Sequence, residues 1–149
     1  MAIQCNPAVL AGPFSFISAH DSAVDTEKAT FADEWRRYVE GAPGAEPPLK
    51  EGEEPTVWEL TPITSVRLLS QLRGVLDEHG RTAWCIATAA FAITGVEGLL
   101  DDSGKPMQLK YQRHEGFTTL TEAMLDMIGG AVLADIGVTV INHKLPNVD

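Results

Sequence analysis

Cysteine is nearly absent from this chain of 149 residues: only Cys5 and Cys85 occur, in no CxxC pair and at no zinc-ligand spacing. A disulfide scaffold is therefore excluded, and a reducing compartment is expected. Basic residues are also few. Eleven Lys and Arg stand against twenty-one Asp and Glu, giving a net charge of −10. Phosphate backbones and anionic membrane surfaces repel such a chain, so neither nucleic acid nor membrane is an expected partner, whereas a basic protein surface is. No apolar run reaches the roughly 18 residues of a membrane helix. The opening MAIQCNPAVLAGPFSF has no basic stretch before an apolar core, which speaks against a signal peptide.

Catalytic motifs are missing as well. There is no GxSxG, P-loop or GxGxxG, and His20, His79, His114 and His143 form no HxH or HxxxH pair. Cys85 with a distant histidine is the one nucleophilic arrangement the sequence leaves open, as a small Cys/His enzyme. A cysteine in an apolar helical run is a poor nucleophile unless something lowers its pKa. No catalytic residue, metal site or cofactor is therefore expected.

What is present divides near residue 56. Residues 1–55 hold most of the prolines and ten of the acids. GAPGAEPPLKEGEEP, with Pro43, Pro47, Pro48 and Pro55, reads as an extended linker. Before it, TEKATFADEWRRYVEG predicts a helix over about 26–40, started by Asp25 or Thr26 and stopped by Gly41. Phe31, Trp35 and Tyr38 share one of its faces, and that face needs a cover, from its own chain or from a partner groove. Trp35 is read as a partner contact.

Residues 56–149 read as a folded module able to stand alone. TVWEL alternates as a short strand. SVRLLSQLRGVLDEH predicts a helix with Val66, Leu69, Leu72 and Leu76 along its buried face, ended by Gly80. RTAWCIATAAFAITG predicts a second helix, apolar nearly all round. Such a helix is buried on several sides or packs on a neighbouring subunit, which marks Trp84 and Phe91 as interaction candidates. In the last segment Thr119 and Glu122 have capping-box spacing, and Gly129 and Gly130 predict a kink or a close helix crossing. VTVI after Gly137 fits strand or helix equally.

Between these helices lies GVEGLLDDSGKPMQLKY. Its acids beside a glycine suggest a calcium loop, but with Gly104 at the sixth position Leu99 and Lys110 fall where carboxylates are needed. Asp102-Ser103-Gly104 is better read as a turn, within a hairpin near 99–111 whose second strand carries Met107, Leu109 and Tyr111 on one face. The expected fold is thus α+β and mainly helical: about three core helices with a small hairpin or sheet, preceded by an extended acidic N-terminal arm (residues 1–55) bearing one helix.

Residues 57–136 resemble a layout found in small proteins of tailed bacteriophages and prophages. A tryptophan-bearing strand ends in L-x-P-[LI]-T, matched by Trp58 and Leu60 to Thr64. Helices then lead to G-x-E-G, matched by Gly95 to Gly98. A D-x-x-G-x-P turn follows, matched by Asp101 or Asp102, Gly104 and Pro106, then a strand and a final helix. The resemblance implies a non-enzymatic morphogenesis or structural protein of the tail, neck or baseplate, or a tail assembly chaperone absent from the mature particle. Other phage structural proteins, or further copies of itself, would be its partners, in the virion or in the host cytoplasm during assembly.

Overall fold

The computed structural model describes residues 12–142. The fold is α+β, with five helices and two small antiparallel sheets among the described residues. The order is β1 (Phe14–Phe16), α1 (Phe31–Val39), β2 (Val57–Leu60), α2 (Val66–His79), α3 (Arg81–Ala92), β3 (Ile93–Glu97), β4 (Tyr111–His114), β5 (Phe117–Leu120), α4 (Glu122–Ile128) and α5 (Gly130–Asn142).

The three-stranded sheet has the order β1-β2-β3. The alternation in VWEL sets its two faces: Trp58 and Leu60 are buried and Glu59 is exposed. Phe16 lies opposite Trp58, and Ile93 opposite Leu60 after a bulge between Glu59 and Leu60. The buried side of this sheet joins Ala89, Ala92, Leu120, Met124, Leu133, Ile136 and Val140 in one core.

The seam of that core runs between α3 and α5. Cys85, Ala89 and Ala92 recur on α3 at helical spacing and are buried, as are Leu133, Ile136, Gly137 and Val140 on α5. Small residues on both sides let the backbones approach closely. A Cβ on Gly137 would stand 1.9 Å from the carbonyl oxygen of Cys85. This explains the apolar character of α3: it is enclosed within its own chain by α2, α5 and β5.

Several elements differ from expectation. α1 begins at Phe31, behind Thr30, and not near residue 26; Asp25 instead accepts from the amide of Glu27 in a turn. The end of RTAWCIATAAFAITG is not helical: Ile93 turns to extended backbone and starts β3. α4 is capped by Thr121, whose side chain accepts from the amide of Met124, while Thr119 is buried in β5. VTVI is helical, within α5. The Gly129–Gly130 step is a corner between α4 and α5 of about 100°, with Gly129 at φ +94°.

The hairpin is displaced too. Residues 99–110 form a loop closed by a single bridge, Leu100 to Pro106, and Met107 and Leu109 pack on the core without a ladder. The true ladder pairs β4 with β5, Tyr111 opposite Leu120 and His114 opposite Phe117. Its two-residue turn is Glu115-Gly116, with φ of +50° and +89°. Positive φ at both positions gives the primed turn whose twist matches that of the strands. Arg113 fastens it by donating to the Gly116 carbonyl at 2.6 Å and to Thr118 Oγ1 at 2.9 Å.

The largest departure is the N-terminal third. Residue 56 is no break in packing. β1 is an outer strand of the core sheet, and Phe16 is 3% exposed. Ser18 Oγ and the Ala19 amide donate to Asp135 Oδ2 on α5, at 2.8 and 2.9 Å. Asp21 accepts from the amides of Ala23 and Thr56. The Pro-rich segment has neither helix nor ladder, as its composition predicts, yet it is pinned: Asp25 N donates to Pro48 O and Lys50 N to Ala23 O.

Candidate interaction surfaces

The predicted contact residues fall into separate places. On α1, Phe31, Trp35 and Tyr38 come together as expected from their spacing, with ring centroids 5.9 Å apart for Phe31 and Trp35 and 5.3 Å for Trp35 and Tyr38. Their cover is in large part their own chain. Phe16 meets the edge of Trp35 at 6.2 Å and stacks on Tyr38 at 6.0 Å. The Tyr38 hydroxyl accepts from the amide of Ile17 at 2.8 Å, and burial pushes its phenol above the usual tyrosine range. All three rings remain half-buried, so part of the cluster still meets solvent.

Trp84 and Phe91 share α3 but no ring contact. Phe91 packs edge-on to Phe117 at 6.3 Å, and the Arg67 guanidinium lies 4.6 Å from the centre of the Phe117 ring. Phe91 also lines a cleft of about 300 Å³ between α2, α3 and the β4–β5 turn, with Glu78, His79, His114 and Glu115 at its edges. That two histidines share a cleft is not legible from the residues alone, because they are 35 positions apart (114 less 79) and come from different elements. Among the described residues no three His, Cys, Asp or Glu side chains converge as a metal site would require.

Cys85 is 3% exposed, against α5, and burial pushes its thiol up, which opposes the nucleophile's requirement of a lowered pKa. Native protein treated with iodoacetamide near neutral pH should therefore label Cys85 on the order of a hundredfold more slowly than protein in denaturant. Peptide mapping separates Cys85 from Cys5, which lies outside the described residues, as does His143. Fast native labelling would restore the Cys/His enzyme.

The stretch GVEGLLDDSGKPMQLKY contributes in a way the residues alone conceal. The turn expected there is present, with Asp101 and not Asp102 as its side-chain acceptor. Asp101 Oδ1 accepts from Ser103 Oγ at 2.7 Å and from the amides of Ser103 and Lys105 at 2.9 Å, and Gly104 sits at φ +81°. The Ser103 hydroxyl, then those amides, hold the Asp101 carboxyl below the usual aspartate range. Its Oδ1 is thus occupied by its own loop, while these bonds leave Oδ2 open.

The same loop is also one wall of a groove. Leu99, Leu100, Asp101, Asp102 and Met107 face Met127 and Ile128 of α4 across about 350 Å³. A smaller hollow of about 180 Å³ continues from it, sharing Leu99, Met127 and Ile128 and adding Asp21, Trp58 and Val132. Leu100 is 55% exposed and Met127 58%, high values for large apolar side chains. Three aspartates, Asp21, Asp101 and Asp102, stand along the two hollows, and neither Lys nor Arg lines them. A second exposed apolar pair, Val66 and Leu69, lies on α2.

Against protein-family models, curated proteins and solved structures, the chain has no match. Among the described residues no single helix is long and apolar enough to cross a membrane; the bent pair α4–α5 passes by length and composition only, and Leu133, Ile136 and Val140 of α5 are spent in the core.

Proposed function

We propose that this protein is non-enzymatic and works by docking other proteins, as a component of bacteriophage morphogenesis: a minor tail, neck or baseplate protein, or a tail assembly factor. The observation that carries the docking reading is the solvent-facing groove of Leu99, Leu100, Met107, Met127 and Ile128. An apolar surface of this kind, rimmed by polar groups, is a common mark of a protein interface. The acidic balance of the chain supports a protein partner over nucleic acid. The phage assignment is supported by the resemblance of residues 57–136 to small tail proteins.

Mass spectrometry on purified particles, with cross-linking in infected cells, tests both parts. A virion component is recovered from particles at fixed stoichiometry, cross-linked to structural proteins. A tail assembly chaperone forms the same cross-links in cells and is missing from particles. Recovery in neither fraction would remove the phage reading.

A further inference from the structure

Resting on the docking reading, we infer that the groove between the 99–107 loop and α4 receives a basic amphipathic segment of a partner protein, with its apolar side chains against Leu99, Leu100, Met107, Met127 and Ile128 and its Lys or Arg side chains beside Asp101, Asp102 and Asp21.

Charge decides among the occupants. Every charged residue lining the two connected hollows is an aspartate, and the chain as a whole carries −10. A second copy would bring its own −10 to an acidic rim, and like charges across an interface oppose association. A cationic partner gains from the same rim, in approach rate and in register. The groove's chemistry also disfavours a small polar ligand. Such sites need polar groups converging on the ligand, whereas Asp21 is held through both oxygens by Ala23 and Thr56, and Asp101 through Oδ1 by Ser103 and Lys105, which leaves Oδ2 and Asp102 as separate charges at the rim. Between the aspartates the larger hollow is lined by Leu99, Leu100, Met107, Met127 and Ile128, and two of these are methionines, which reshape readily around a varied partner. The walls are well anchored: Met107 N donates to Leu99 O at 2.8 Å, and Ile128 packs against the core. The groove is therefore a standing feature of the fold, and Leu100 and Met127 can be changed without opening the interior.

The test uses the full chain with methyl-labelled methionine, titrated with two short amphipathic peptides of one apolar pattern, leucine with lysine and leucine with glutamate. The leucine–lysine peptide should shift the Met107 and Met127 methyl signals, leave the buried Met124 signal in place, and weaken as salt is added. The leucine–glutamate peptide should shift none. Leu100→Asp should weaken the lysine peptide by about tenfold, although a new negative charge would strengthen purely Coulombic attraction. Asp102→Lys should weaken it by about threefold to tenfold.

Equal binding of both peptides, or undiminished binding to Leu100→Asp, would overturn the proposal. So would binding of the lysine peptide that leaves both methionine signals unmoved and is lost in Val66→Asp, a result that leaves the docking reading standing and moves its site to α2. Concentration-dependent shifts without peptide, with a dimer in sedimentation, would give the groove to a second copy instead.

Discussion

Gly137→Ala should destabilise the fold by about 3 kcal/mol or more, read as a lower urea midpoint at unchanged slope. The expectation runs against helix propensity. Gly137 lies inside α5, where alanine is favoured over glycine by about 1 kcal/mol. Packing reverses the sign. The added carbon would stand 1.9 Å from the Cys85 carbonyl oxygen, 2.5 Å from its carbonyl carbon and 2.7 Å from its Cα. Ordinary carbon–oxygen contact needs roughly 3.3 Å or more. All three obstacles are backbone atoms in the middle of α3, so no side-chain rotation relieves them. The helices must separate, and Ala89, Leu133 and Ile136 lose contact along the seam. Against a total stability of about 5–15 kcal/mol for a domain, that is a large fraction. Gly137→Leu should leave no folded protein. Gly74 provides the contrast: it sits inside α2 with nothing within 4 Å of an added Cβ. Gly74→Ala should raise stability by about 0.5–1 kcal/mol. If both alanines stabilise, the α3–α5 crossing is looser than described.

The two glycines show where sequence reading succeeds and stops. Both occur in helical patterns, and each alone suggests the same weakness. Only the partner helix separates them. The same limit explains α2. Its ends were legible, since Ser65 accepts from the Leu68 amide and Gly80 takes φ +92° just after His79. Its buried face was not. Val66-Leu69-Leu72-Leu76 and Leu68-Leu72-Val75 both satisfy helical spacing, and tertiary contact chose the second: Leu68 and Leu72 are buried, while Val66 is 81% exposed. β2 was legible because half-buried strands alternate. β4 was not, because YQRH is exposed at every position and carries no pattern to read, whereas the alternation in PMQLKY reflects single contacts with the core. The groove shares this character. Its loop reads as a turn, and Met127 as part of a helix. Nothing in residues twenty positions apart announces that they face each other.

Deleting residues 1–55 should abolish cooperative folding of the remainder, contrary to what the composition break at residue 56 suggests. β1 supplies one edge of the core sheet, and its loss uncovers the backbone of β2 and the faces of Trp58 and Leu60. Phe16 goes with it, a buried ring whose removal alone costs about 3–5 kcal/mol. Asp135 loses both the Ser18 hydroxyl and the Ala19 amide, and a half-buried carboxylate stripped of its donors costs about 1–3 kcal/mol more. The sum approaches the whole stability of a domain of this size. Residues 56–149 on their own should give poorly dispersed amide spectra and no sharp denaturant transition. A synthetic peptide spanning residues 12–40, which carries β1, Ser18 and the α1 aromatic face, should restore dispersion when added in trans. Phe16→Ala in the full chain should lower stability without changing the fold, which separates the contribution of the ring from that of the strand. A truncated chain that melts cooperatively without the peptide would mean that β1 docks onto a finished module. Trp35 and Tyr38 would then be free to serve a partner, as their exposed portions invite. The physical question is whether an edge strand of three residues is needed to complete a sheet this small. A two-stranded remnant is marginal in water without a third strand or a helix across it. Here α3 and α5 cover one face, so Phe16 and the Asp135 bonds decide the outcome.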